Sequence, residues 1–119
     1  MIMFPYCSAI ETRNKTGEWY YLRLNSACAK AFNGATYVHI GKTVDGRFIV
    51  IEPILDPGAK RTKNTSKVIV EPSGAIRLAC TRFVSSRFFP EYIFGKRYRV
   101  KKDKAGKIYI CLQEEVGDD

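Results

Sequence analysis

Turn-forming residues recur so closely along this chain that a long helix has nowhere to form. The segment Thr12 to Gly17, the pairs Asn33-Gly34 and Asp45-Gly46, the triplet Pro72-Ser73-Gly74 and the stretch Asp103 to Gly106 interrupt it at short intervals. Such residues tolerate positive φ, fix φ, or bond their own backbone, which is what tight turns require. Between them lie short runs rich in β-branched and aromatic side chains, which suit a pleated, half-buried surface. With 119 residues and 45% apolar content, the chain is of a size to build one core. A single, mainly β domain spanning 1–119 is expected. No apolar run approaches the ~18 residues of a membrane span. The stretch Met1 to Glu11 has no basic region and is broken by Pro5, unlike a secretory signal, so a cytoplasmic location away from membranes is expected.

The runs pair naturally into hairpins. Met3 to Glu11 and Trp19 to Leu24 make the first, after which Asn25 and Ser26 offer side-chain acceptors to the start of a short helix, Ala27 to Phe32. Thr36 to Lys42 and Arg47 to Ile51 make the second hairpin, in which Phe48, Val50 and alternate residues of Tyr37 to Ile40 are assigned to the interior. Residues 53–66 carry two prolines, a glycine and the run Lys60-Arg61-Thr62-Lys63-Asn64-Thr65, the composition of a solvated connector. Beyond it, Lys67 to Glu71 with Ala75 to Leu78 predicts a third hairpin, Thr81 to Phe88 a second short helix ended by Phe89-Pro90, and Lys96 to Lys102 with Lys107 to Leu112 a fourth hairpin whose Tyr98 and Val100 face Ile108 and Ile110.

The order hairpin, helix, hairpin therefore occurs twice, in pseudo-repeats 9–51 and 67–112. Arg23-Leu24 answers Arg77-Leu78 at an offset of 54, and Gly46, Phe48 and Val50 answer Gly106, Ile108 and Ile110 at an offset of 60. The expected fold is mainly β with two short helices, a duplicated, barrel-like arrangement about a pseudo-twofold axis.

Twenty Lys and Arg against twelve Asp and Glu leave a formal charge of +8, which points to polyanionic partners. The excess is concentrated in Lys60 to Lys67 and Lys96 to Lys107, whereas Glu114 to Asp119 is acidic. Candidate contacts to nucleic acid, or to an acidic protein, are Lys60, Arg61, Lys63, Lys67, Arg77, Arg82, Arg87, Lys96, Arg97, Arg99, Lys101 and Lys102. On a strand, Arg97, Arg99 and Lys101 share one side while Tyr98 and Val100 take the other. A solvated face, or lysines guarding an edge strand, is the plainer alternative.

Little points to catalysis. Cys7, Cys28, Cys80 and Cys111 form no C-x-x-C pair and have no neighbouring histidine, so neither a zinc site nor any other metal or cofactor is expected. They read as buried free thiols, although Cys28 and Cys80 stand at predicted helix entries where an amide dipole could stabilise a thiolate. His39 lies mid-strand, Gly41-Lys42-Thr43 lacks the rest of a phosphate loop, and no carboxylates pair at helical spacing. A non-enzymatic role is expected.

The segment VIVEPSGAIRLACTRFVSSRFFPEYIFGKRYRVKKDKAGKIYICL, Val68 to Leu112, resembles the AbrB and MazE swapped-hairpin superfamily. Gly74 matches its first turn, Ile76 to Leu78 the strand entering the helix, Thr81 to Phe88 the helix, and Val100 to Ile110 the closing hairpin. Ala9 to Ile51 matches more loosely, and two copies in one chain are similar to the MraZ proteins of that superfamily. The positions where the family carries a basic residue after the turn and a proline before the helix hold Ala75 and Ala79, and in the first copy Glu18 and Asn25. The Asp and Arg signature of MraZ beside the helices is absent. The resemblance implies the swapped-hairpin fold and a duplex-DNA-binding regulator, of transcription-factor or antitoxin type, acting as a monomeric pseudo-dimer or a homodimer. The other reading of the same charge is a small phage or mobile-element inhibitor, anti-CRISPR-like, that occupies a nucleic-acid-handling protein.

Overall fold

The computed structural model of the protein describes residues 4–56 and 64–117. Its strands are β1 (Tyr6–Asn14), β2 (Gly17–Leu24), β3 (Tyr37–Lys42), β4 (Phe48–Ile54), β5 (Thr65–Lys67), β6 (Ile69–Val70), β7 (Ile76–Ala79), β8 (Lys96–Lys102) and β9 (Ile108–Glu115). A 3₁₀ helix, Ser26–Phe32, follows β2, and the helix α1 (Thr81–Ser85) follows β7, with a further 3₁₀ turn at Glu91–Ile93. All strands pair antiparallel in the order β5-β3-β4-β9-β8-β1-β2-β7-β6.

The two ends of that order are adjacent in the chain. Only Val68 separates β5 from β6, so one bent strand pairs with β3 through its first half and with β7 through its second. The amide of Val68 donates to the Thr36 carbonyl at 2.8 Å, and Ser66 Oγ donates to the Ala79 carbonyl at 3.1 Å across the remaining gap. The sheet thereby curls into a nearly closed, barrel-like form, the arrangement that leaves least strand edge open to other chains.

Alternation fills the interior. Tyr20, Leu22 and Leu24 of β2 are buried while Trp19, Tyr21 and Arg23 point outward, and Tyr98 and Val100 of β8 lie inside with Ile108 and Ile110 of β9. Because β2 and β7 run antiparallel, the helices that follow them leave at opposite ends of the barrel. Cys28 and Phe32 enter the core from one helix, Phe83 and Val84 from the other, where Phe83 stacks on Phe89 at 5.4 Å. Among the described residues no helix is long and apolar enough to cross a membrane.

Several sequence expectations shift. The side chain of Asn25 makes no cap bond to the helix after it, and only its backbone carbonyl accepts, from the Cys28 amide at 2.9 Å. Its buried side chain instead accepts from the Tyr6 amide at 3.1 Å and donates to the Phe4 carbonyl at 2.8 Å, tying the start of β1 to the end of β2. The second helix ends at Ser85, and Arg87 has a φ of 64°, so the expected helix to Phe88 breaks into a turn that returns Phe89 to the core. The expected connector 53–66 is shorter, because β4 runs to Ile54 and Thr65 and Ser66 are buried in the closing strand. On β4 the interior residues are Ile49 and Ile51, and Phe48 and Val50 face outward. Pairing of Ile49 with Ile110 and Ile51 with Ile108 fixes that register, and a slip of one residue exchanges the two faces.

All four cysteines are free and buried. Burial pushes the thiol of Cys28 up to about 11 and those of Cys80 and Cys111 to about 12 and about 11, and raises that of Cys7 well above its ordinary value. At the helix entries, burial thus sets the direction for Cys28, against hydrogen bonds to Tyr6 and Asn25, and for Cys80. Burial likewise lifts the hydroxyls of Tyr20 and Tyr98 to about 12.

Two measurements test this packing. Ile51→Ala is expected to cost ~2–5 kcal/mol in urea unfolding, as large-to-small core changes do, whereas Val50→Ala on the outer face costs about 1 kcal/mol or less. Equal losses would return the sheet to the opposite register. Groups whose folded pKa is raised contribute stability that is intact below the unfolded value and lost as pH rises through the folded one. Unfolding free energy is therefore expected to fall between about pH 9 and pH 12, the unfolded chain ionising thiols and phenols that the folded chain keeps neutral. A flat profile over that range would contradict the burial of these groups.

Candidate nucleic-acid interface

The outward positions of four neighbouring strands gather arginines into a row. β1 lies between β8 and β2, and β2 pairs in turn with β7. Ser8 of β1 stands opposite Arg97 of β8 on one side and Arg23 of β2 on the other, and Arg23 stands opposite Arg77 of β7. The row Arg97, Ser8, Arg23, Arg77 thus crosses the sheet. Two residues back along β1, on the same face, Tyr6 stands opposite Arg99.

Directly opposed like charges repel, and two devices hold this row together. Glu71 accepts from Arg23 Nε at 2.8 and 3.0 Å, in a pair only partly open to solvent, and keeps that guanidinium charged. The other cations lie over aromatic faces: Arg97 over Tyr6 at 5.2 Å, Arg77 over Tyr21 at 5.6 Å and Arg99 over Phe4 at 5.9 Å. A ring beside a guanidinium favours its charge without neutralising it, and the planar fork of arginine matches phosphate oxygens.

The predicted residues separate into groups. Arg77, Arg97 and Arg99 belong to this face. Lys96 and Lys101 are exposed but face Glu115 at 3.9 Å and Glu114 at 3.1 Å, so part of the basic strand is matched by the acidic end of β9. Lys101 and Lys102 border a small cavity of about 170 Å³ at the end of the barrel, which Lys30 and Cys28 also line. Lys67 and Arg82 line a different cleft, at the seam between β5 and β7. Arg87 is exposed on the turn after α1. Lys60, Arg61 and Lys63 lie outside the described residues.

Sequence reasoning missed Phe4, Tyr6, Tyr21 and Arg23. The strict alternation of β2, with Tyr20, Leu22 and Leu24 buried, was a signal that Tyr21 and Arg23 point outward. Nothing in the sequence put them beside Arg77 and Arg97, because that arrangement is made by pairings between strands far apart in the chain.

Compared with known proteins, the chain matches no protein-family model, no curated protein and no solved structure.

Removing the counter-charge at the middle of the row has a readable consequence. Glu71→Gln is expected to lower stability by about 1 kcal/mol at low salt, since Arg23 and Arg77 then oppose each other uncompensated. The loss should shrink as ionic strength rises, because salt screens repulsion between exposed charges. Thermal unfolding at two salt concentrations checks this, and a loss independent of salt would show that the carboxylate acts through packing alone.

Proposed function

We propose that the protein is a non-enzymatic regulator, of transcription-factor or antitoxin type, that binds duplex DNA through the outer face of β8, β1, β2 and β7. The observation that carries this reading is the arginine row with aromatic rings beside it. Three inter-strand steps separate Arg97 from Arg77, about 14 Å along the sheet at ~4.8 Å per step, comparable with the ~12 Å width of a major groove. Such cations supply affinity and salt sensitivity, and base choice rests on further interactions with base edges.

Internal duplication, with the chain as its own pseudo-dimer, forms part of the proposal and draws support from register. At the offset of 54, Arg23 corresponds to Arg77, and these two residues are opposite partners in the β2–β7 ladder. At the offset of 60, Ile49 and Val50 correspond to Tyr109 and Ile110, and the observed pairs are Ile49 with Ile110 and Val50 with Tyr109. A local twofold through both ladders exchanges each pair with itself or its neighbour. Such an axis through the arginine row would suit the twofold symmetry of a duplex. The swapped-hairpin resemblance is consistent with a duplicated sheet of this kind.

Duplex binding measured at several salt concentrations tests the proposal. The wild type is expected to bind random duplex DNA at low salt. The triple variant Arg77→Glu, Arg97→Glu, Arg99→Glu should bind weakly, with a salt slope shallower by about one unit for each phosphate that is no longer neutralised. Unchanged binding by this variant would exclude the face, and no duplex binding by the wild type at low salt would favour the inhibitor reading.

A further inference from the structure

The barrel gapes where its closing strand meets β7. Ser66 Oγ to the Ala79 carbonyl bridges the gap, and no backbone ladder joins β5 to β7. A cleft of about 550 Å³ opens over this seam. Its walls carry two aromatic side chains, Trp19 at the start of β2 and Tyr37 at the start of β3, and two cations, Lys67 and Arg82. The remaining lining is Thr65, Ser66, Ala79 and Thr81, with no acidic side chain among the described residues.

Trp19 is the largest of the exposed apolar side chains. It is 46% exposed, whereas the other apolar and aromatic side chains of β2 are buried or half-covered. Its indole N–H donates to Asn14 Oδ1 at 3.3 Å, which orients the ring from the β1–β2 turn. Together with Tyr37, the oriented indole gives the cleft an aromatic lining. Arg82, at the first turn of α1 with its guanidinium 5.3 Å from the Phe83 ring centre, and Lys67, on the closing strand, are both exposed and both line the cleft.

We propose that this seam cleft binds a nucleotide of single-stranded nucleic acid, with an unpaired base against Trp19 and Tyr37 and the flanking phosphates held by Lys67 and Arg82. Aromatic faces accept any base by stacking, and a positive rim tracks the backbone, the two elements of strand binding without sequence preference. A duplex cannot use the cleft, since its bases are already stacked on one another. The site is separate from the arginine row, on which the duplex reading rests, and it engages a different form of nucleic acid.

Because Trp19 is the only tryptophan of the chain, its fluorescence reports on this cleft alone. Titration with a ten-residue oligothymidylate at low salt is expected to quench the emission, and a hairpin duplex of equal phosphate content is expected to quench it much less. The variant Lys67→Glu, Arg82→Glu should weaken oligothymidylate binding at least about tenfold, and Trp19→Leu, which removes the reporter and is followed instead by the fluorescence anisotropy of a dye-labelled oligothymidylate, about as much, as loss of one base stack does. Both variants change side chains that reach solvent, and circular dichroism verifies their fold. The Arg77→Glu, Arg97→Glu, Arg99→Glu variant should retain the quenching, which separates this site from the duplex face. Absence of quenching by the single strand, or quenching equal in the Lys67→Glu, Arg82→Glu variant, would overturn the proposal.

Discussion

The fold depends on a single bent strand. Residues of β5 and β6 occupy the two ends of the sheet, and Val68 between them gives its amide to the Thr36 carbonyl rather than to β7. Without that bend the sheet would be an open ribbon with β3 and β7 as exposed edges. With it, every long strand has two neighbours, and the apolar faces of all strands converge on one interior. The cost is local. Closure is incomplete between β5 and β7, where a side-chain bond replaces a ladder, and the cleft with aromatic walls and a cationic rim lies there.

The same closed geometry explains why the outer surface is chemically differentiated. A sheet strand presents alternate residues to opposite sides, so an interior built from Leu22, Leu24, Ile76 and Leu78 dictates which residues of β2 and β7 face out. Arg23 and Arg77 are placed opposite each other by the requirement that their buried neighbours be paired. Repulsion between them is met by Glu71 and by the ring of Tyr21. Interior packing and surface charge are thus set by one register.

Charge is also arranged along the chain's last hairpin. The basic residues of β8 do not form a uniform ridge, because Glu114 and Glu115 at the end of β9 stand against Lys101 and Lys96. Exposed pairs of this kind contribute little stability, yet they lower the field at that end of the sheet. Arg99 and Arg77 form no close ion pair among the described residues, although Arg99 helps to hold the Glu114 carboxyl below its usual range, after the hydrogen bonds from Lys101 and Cys111.

Local signals in the sequence determined the strand content, the turns at Asp45-Gly46 and Asp103 to Gly106, the positions of both short helices and the inward placement of Tyr98, Val100, Ile108 and Ile110. Each follows from alternation or from turn chemistry within a few residues. The same signals left the face of β4 open, since Phe48, Ile49, Val50 and Ile51 are all apolar and only pairing with β9 decides between the two registers. They marked Lys96 to Lys102 as basic but could not show that part of its charge is matched by residues beyond the next turn. Thr65 and Ser66 look like connector residues because they are polar, and tertiary structure buries them at the seam. Arg23, Tyr6 and Tyr21 carry no local mark of a site. They come together on one face only when β1 is laid between β8 and β2, a pairing whose partners lie up to 93 positions apart, and a pairing at that separation is fixed by the closing of the whole sheet rather than by any segment of it.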